Sequence, residues 1–197
     1  MLDVVIIGGG ASGMGCALTL TSVENKFSWA KNRKYMIIDD NNSDIKKARF
    51  YNLTGVEFGI DGDKLLENMK TQLNNYNSID FQNSKAIKIV DIDGGFEVIT
   101  TNKSFKTKIV VIATGMHSFD IECSGVEILP HNNVLKPDKI CLKNNNLKIR
   151  DNLFVVGLAS GAKTMFAIAN GEGTRVACDI FEIWTNKPMV AHDSMKN

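Results

Sequence analysis

The chain has 197 residues, which predicts one sizeable hydrophobic core rather than two ordinary domains. Its 23 basic and 22 acidic residues give a formal net charge of +1, so charge favours neither nucleic acid nor a membrane surface as a partner. The longest apolar runs, Val4–Ile7 and 108–113, are far shorter than the roughly 20 residues that span a bilayer. The start of the chain lacks the basic residues of a secretory signal, so we expect a cytoplasmic protein.

The first predicted elements form a βαβ unit. Leu2–Ile7 is a β-branched run typical of a parallel strand buried on both faces, and Gly8–Gly13 breaks it. Helix-forming residues follow over Met14–Leu20, and Tyr35–Ile38 is a second buried strand that ends at Asp39–Asp40. A strand, a glycine turn, a helix and a strand in this order predict a parallel sheet with a helical crossover.

The rest of the chain continues an α/β pattern. Residues 41–62 are polar and predict mostly loop, and a helix is expected from Asp61 onward. Further predicted elements are a β-meander over Lys85–Asp91, Phe96–Thr101 and Lys106–Ala113, a buried strand over Asn152–Val156 and a last helix over Phe166–Trp184. We therefore predict an α/β fold with a parallel central sheet, helices and a three-stranded meander. It occupies residues 1–185 as a single domain, with a short connection at 116–150 and a loosely held tail at 186–197.

Gly8-x-Gly10-x-x-Gly13 stands between a predicted strand and a predicted helix, the context that a dinucleotide-binding turn requires. Gly8 permits the tight turn, Gly10 lets phosphates approach the backbone, and Gly13 lets the helix pack against the strand. Free N–H groups at the start of the helix would bind a diphosphate. Asp39, at the end of the second strand, would accept hydrogen bonds from ribose hydroxyls and repel a 2′-phosphate, which argues against NADP.

Further segments extend this pattern in chain order: Asp3–Gly13, Phe50–Gly55 with Gly59–Gly62, Val110–Gly115, and Asn152–Gly157 with Gly171–Gly173. Together they resemble the thioredoxin-reductase-like FAD-binding domain of flavoproteins with two dinucleotide-binding folds. The resemblance covers residues 1–115 and 150–185. It implies a Rossmann-like FAD/NAD(P)-binding fold, with FAD as the cofactor and NAD as the alternative.

The resemblance also implies roles for matched residues. Ser12 would contact the diphosphate, Asn52 would lie near the flavin, and the backbone of Ala86–Ile87 would meet the adenine. The start of the last helix, near Met165, would face the flavin O2, where negative charge develops on reduction. The full set of predicted cofactor-binding residues is Gly8, Gly10, Ala11, Ser12, Gly13, Asp39, Asp40, Asn52, Ala86, Ile87, Ala113, Thr114, Gly115, Gly157, Leu158, Met165, Phe166 and Ala167.

The chain departs from the family pattern at three points. Only residues 116–150 stand where the family inserts an NADPH-binding domain, and the chain has no second Gly-x-Gly-x-x-Gly. The redox Cys-x-x-Cys of that domain has no counterpart here. Leu158 replaces the aspartate that, in the family, hydrogen-bonds the ribityl chain of the cofactor.

The catalytic residues are unknown from the sequence, with two loop candidates. His117 follows the Ala-Thr-Gly strand and could act as an acid or base, because imidazole exchanges protons near neutral pH. Cys123 could be a reactive thiol beside the cofactor. Each also fits a plain role, as a solvated histidine and a structural thiol. Cysteine spacing fits neither a metal site nor a disulfide framework, so we predict no metal.

The leading functional hypothesis is a minimal FAD-dependent oxidoreductase whose flavin is reduced from outside, by free NAD(P)H, a ferredoxin-like protein or the substrate. The alternative is a non-catalytic FAD- or nucleotide-binding module, or an electron-transfer subunit of a larger complex. A third hypothesis is an NAD-binding enzyme or a relative of flavin-dependent tRNA-modifying proteins, and the near-zero net charge argues against RNA. A homodimer is also expected, because the missing domain leaves a surface to be covered.

Overall fold

The computed structural model describes residues 1–192, so residues 193–197 of the predicted tail lie outside it. The helices are α1 (Ala11–Thr21), α2 (Gly62–Leu73) and α3 (Phe166–Thr185). The strands are β1 (Leu2–Ile7), β2 (Tyr35–Asp39), β3 (Arg49–Phe50), β4 (Ile60–Asp61), β5 (Ile79–Asn83), β6 (Ala86–Ile92), β7 (Gly95–Thr100), β8 (Ser104–Ile112), β9 (Glu122–Cys123), β10 (Ile128–Pro130), β11 (Ile140–Leu142), β12 (Lys148–Arg150) and β13 (Leu153–Val155). Short 3-10 turns occupy Ser28–Ala30, Asp44–Lys47 and Gly157–Ser160.

The centre of the molecule is a parallel sheet in the order β5-β2-β1-β8-β13. β1 is the middle strand, with Ile6 in register with Ile37 on one side and with Val111 on the other. Its β-branched residues are buried on both faces, as expected for a central parallel strand.

Strand β8 joins this parallel sheet to the meander. Its first half pairs antiparallel with β7, Phe96 opposite Thr107, and β7 pairs antiparallel with β6. Its second half lies between β1 and β13, both parallel to it. The predicted α/β fold, with a parallel sheet, helices and a three-stranded meander, is confirmed.

Two apolar layers form because alternate residues of β1 point to opposite faces of the sheet. Val4 and Ile6 belong to the core beneath α1 and α3, whereas Val5 and Ile7 belong to the core on the meander side. The two helices approach closely at Gly173, where a Cβ would lie 1.9 Å from the carbonyl oxygen of Ser12. This contact fixes the start of α1 relative to α3.

Strand β5 and the β3–β4 hairpin are absent from the sequence prediction. β5 is an edge strand with mostly exposed or half-buried positions, so it lacks the buried run that marks β1. The hairpin is only two residues deep on each side, Arg49 opposite Asp61 and Phe50 opposite Ile60, within the segment predicted as loop. Across residues 1–192, no helix has both the length and the apolar character needed to cross a membrane.

Candidate functional site

A cleft of about 550 Å³ opens at the carboxyl ends of β1, β2 and β8. Ligands of open α/β sheets bind at this edge, where the connections run to opposite sides. The volume lies within the range of small-molecule and cofactor sites. Predicted residues that line the cleft are Gly8, Gly10, Ala11, Ser12, Asp39, Asp40, Ala86, Ala113, Thr114, Gly115, Leu158, Met165 and Phe166.

Two of the three motif glycines pack tightly against neighbouring backbone, and the third borders open space in the cleft. A Cβ on Gly8 would lie 2.3 Å from the Ala113 carbonyl oxygen, and one on Gly13 would lie 1.9 Å from the Gly8 carbonyl oxygen. A Cβ on Gly10 would meet nothing closer than Ser43 Oγ at 3.5 Å. Gly13 therefore seals α1 against β1 and does not line the cleft, whereas Gly10 keeps the cleft floor bare of a side chain.

The start of α1 offers hydrogen-bond donors to the cleft. Gly10 is the N-cap residue of α1, and the helix has no side-chain cap and no acidic residue in its first turn. The first amides of a helix lack partners within the helix and carry a partial positive charge. Ala11 and Ser12, whose amides belong to this first turn, both line the cleft. The arrangement fits a diphosphate.

Asp39 ends β2 and lies half-buried in the cleft. Its Oδ1 accepts a hydrogen bond from the amide of Gly9 at 3.0 Å, which fixes the carboxylate beside the glycine turn. The carboxylate keeps acceptor capacity that ribose hydroxyls could use. Asp40 is exposed, and its Oδ1 accepts from the Asn42 amide at 3.0 Å, so it shapes the loop that follows β2.

Thr114 supplies an independent test of whether a ligand fits. Its Oγ1 is buried and has no hydrogen-bond partner among the described residues, although the side chain belongs to the cleft wall. A buried hydroxyl without a partner is costly, and polar groups in folded proteins are nearly always paired. A polar ligand in the cleft would provide the missing partner.

The other end of the cleft is apolar. Leu158, Met165 and Phe166 line it, and the ring of Phe50 meets that of Phe166 edge to face with centroids 5.5 Å apart. Phe166 is the first residue of α3, so this helix start also faces the cleft. The side chain of Leu158 offers no hydrogen bond to a ligand at this end.

His117 lies at the mouth of the cleft near its glycine-rich end. Its Nε2 contacts a carboxylate oxygen of Asp44, and both residues line the cleft. Asp44 follows Ser43, the residue closest to the free space at Gly10. His117 is therefore tied to the loop after β2, which borders the glycine turn.

Five predicted residues lie outside the cleft lining: Gly13, described above, and Asn52, Ile87, Gly157 and Ala167. Asn52 is exposed in the bend after β3, and Ala167 faces solvent one position after Phe166. Ile87 is 42% exposed because its side chain points away from that of Ala86, its neighbour in β6. The roles of these residues in cofactor binding stay predictions that rest on the resemblance to the family.

Cys123, the second catalytic candidate, also lies outside the cleft lining. It belongs to β9 beside β6, and burial raises the pKa of its thiol, partly offset by Arg150. Burial likewise raises the pKa of Cys16, Cys141 and Cys178. None of these thiols is activated as a nucleophile, which requires a lowered pKa. Residues 1–192 contain no group of metal-ligating side chains.

Several cleft residues were not predicted. Most follow the carboxyl end of a strand, where parallel strands place their loops at one edge. Lys85 lies just before β6 and pairs with Asp120 at 3.4 Å across the cleft rim. In the sequence, the one sign that these residues line the cleft is that they follow a strand. The unpredicted lining residues include Asn42, Ser43, Asp44, Ile45, Ser84, Lys85, Ser118, Phe119, Asp120 and Thr164.

The fold and the cleft together define a Rossmann-like nucleotide-binding domain. The family model described as pyridine nucleotide-disulphide oxidoreductase matches residues 2–159. The chain therefore belongs to the pyridine nucleotide-disulphide oxidoreductase family. A comparison with curated proteins finds no match.

Solved structures place the fold among thioredoxin reductases. The chain is similar to a thioredoxin reductase from Gloeobacter violaceus, with a TM-score of 0.77 and 14% identity, covering 98% of this chain and 99% of that one. A thioredoxin reductase from Lactococcus lactis matches with a TM-score of 0.70 and 14% identity over 95% and 100% of the two chains. A ferredoxin-flavin thioredoxin reductase from Clostridium acetobutylicum matches with a TM-score of 0.69 and 14% identity over 94% and 98%. The resemblance inferred from the sequence is confirmed.

Proposed function

We propose that the chain is a minimal FAD-dependent oxidoreductase whose flavin is reduced by a donor outside the chain. The observation that carries the proposal is the floor of the cleft: uncapped first-turn amides of α1, a bare backbone at Gly10 and the Asp39 carboxylate meet in one place. These groups match a diphosphate joined to a ribose.

FAD is favoured over NAD by the rest of the cleft. Family membership and the Ala113–Gly115 segment at the end of β8 support a flavin cofactor. The apolar end beside Phe50 and Phe166 would take a large aromatic ring. Bound there, the flavin would supply the redox chemistry, and the protein would set its orientation and electrostatic surroundings.

An external donor follows from what fills residues 116–150. This segment folds as the β10–β11 pair and the short strands β9 and β12, which pack on the meander and on β13. The segment is too short for a second nucleotide-binding domain. NAD(P)H in solution, a redox protein or the substrate itself would therefore have to reach the flavin from solvent.

The test is an anaerobic absorption spectrum of the purified protein with added FAD, followed by NADH, NADPH or dithionite. We expect a bound flavin spectrum that bleaches on reduction. Gly10→Ala should bind the flavin about 5- to 150-fold more weakly, whereas Gly171→Ala, in α3 where a Cβ meets nothing within 4 Å, should retain wild-type binding. A protein that takes up no flavin would refute the proposal.

A non-catalytic module is the second candidate function, and two observations favour it. Leu158 offers no polar contact to the cofactor, and the chain has no Cys-x-x-Cys to accept electrons from a flavin. On this account the protein binds flavin or nucleotide within a larger complex. Bound flavin without turnover under any donor, together with stable co-purification of a partner, would support it over the enzyme.

A further inference from the structure

Glu172 joins two parts of the apolar end of the cleft without lining it. It lies in α3, and its Oε2 accepts a hydrogen bond from the Gly157 amide at 2.8 Å and from the Ser160 hydroxyl at 2.6 Å. Sequence alone gave no sign of these contacts, because Glu172 is 12 and 15 residues away from its partners.

The two parts that Glu172 joins both supply cleft walls. The 3-10 turn Gly157–Ser160 contributes Leu158, and α3 contributes Met165 and Phe166. The turn also rests on α1, since a Cβ on Gly157 would lie 2.5 Å from Ser12 Oγ. One carboxylate therefore fixes the turn to α3 at the point where both meet the start of α1.

The hydrogen bonds to Glu172 are of the strong kind. A carboxylate acceptor shortens and strengthens hydrogen bonds relative to a neutral acceptor. Gly157 has a φ of +72°, in the left-handed region, so its amide direction is set by an unusual backbone conformation. Without the carboxylate, the Gly157 amide would lose its acceptor in a part-buried position.

We propose that Glu172 is a positioning residue for the flavin half of the cofactor. This inference rests on the proposed function. Leu158 has no polar side chain. Binding of the flavin half of the cofactor therefore depends on backbone groups of the turn and on the start of α3. Glu172 holds these two elements in register, so it raises affinity for the flavin half without affecting the adenosine half, which would lie beside Asp39 and Ala86.

The test compares FAD with ADP, which carries the adenosine and the diphosphate but no flavin. Dissociation constants for both are measured by isothermal titration calorimetry on the full chain. We expect Glu172→Ala to weaken FAD binding roughly tenfold or more, the effect of losing a buried acceptor, while ADP binding changes less than about twofold. Glu172→Gln, whose amide oxygen can still accept both hydrogen bonds, should recover most of the FAD affinity.

Other outcomes separate this inference from the proposed function. Unchanged FAD affinity in Glu172→Ala, or a parallel loss of FAD and ADP affinity, would overturn the positioning role. Wild-type protein that binds ADP but not FAD would instead overturn the proposed function. If Glu172→Ala does not fold, Ser160→Ala removes one of the two hydrogen bonds, and it should weaken FAD binding by about threefold with ADP binding unchanged. Equal effects on the two ligands in this variant would also overturn the inference.

Discussion

Alanine substitution at two motif glycines should separate folding from ligand binding. Gly10 has φ −81° and ψ −164°, which any residue adopts, and a Cβ there has free space. Replacing glycine by alanine lowers the conformational entropy of the unfolded chain, which stabilises the folded state by about 0.4–1 kcal/mol. Alanine is a poorer N-cap residue than glycine, and this loss offsets a similar amount. The free energy of unfolding of Gly10→Ala should therefore stay within about 1 kcal/mol of the wild type.

Gly13→Ala should behave in the opposite way. Its Cβ would lie 1.9 Å from the Gly8 carbonyl oxygen and 3.2 Å from the Ile6 side chain. The start of α1 would have to move away from β1, and overpacking of this severity costs about 3 kcal/mol. Urea denaturation measures both changes, read as a shift of the midpoint at constant slope.

The two variants also differ in what they do to FAD. A methyl group at Gly10 occupies the space that the diphosphate needs, and this should cost roughly 1–3 kcal/mol of binding, or about 5- to 150-fold in the dissociation constant. Calorimetric titration with FAD measures it. Wild-type FAD affinity in Gly10→Ala, or a Gly10→Ala protein as unstable as Gly13→Ala, would refute the reasoning from the glycine geometry.

Three further predictions test other parts of the account. Asp39→Asn should keep the Gly9 amide hydrogen-bonded but weaken FAD binding about tenfold, because a charged acceptor becomes a neutral one. An unchanged dissociation constant in the calorimetric titration with FAD would show that Asp39 does not contact the ribose. Leu158→Asp should tighten FAD binding by about tenfold while leaving ADP affinity unchanged, since it restores the carboxylate that the family uses. Weaker FAD binding in this variant would contradict a cofactor contact at position 158. Burial raises the pKa of the Cys16 thiol above its ordinary value of 9.0, so the folded state holds this proton more tightly than the unfolded state. The resulting stability is present below about pH 9 and is lost as the pH rises above it; Cys16→Ala should reduce the slope of unfolding free energy against pH in alkaline urea titrations, and an identical slope would contradict the prediction.

The sequence was sufficient to predict the parallel core because each signal was local. β1 and β2 are short runs of buried β-branched and aliphatic residues, and the glycine turn follows β1 directly. The meander was predicted as three successive strands over residues 85–113, and the structure has β6, β7 and β8 in this segment. Such features depend on neighbours a few residues away, which the sequence displays.

The rest depends on contacts between distant residues. β5 is a strand because it pairs with β2, while its own side chains are largely polar. The contact of His117 with Asp44 joins residues 73 positions apart, and no local pattern predicts it. Asn52 and Ala167 were assigned by analogy to the family, and their exposure outside the cleft lining depends on side-chain directions that the sequence does not display.

Diffraction from crystals soaked with FAD is the most direct measurement of the central claim that the amides at the start of α1 bind a diphosphate while Asp39 holds the adjoining sugar. We predict density for the two phosphates over Gly10, Ala11 and Ser12, with ribose hydroxyls at the Asp39 carboxylate. Flavin bound elsewhere, with the glycine turn free of ligand, would contradict the account.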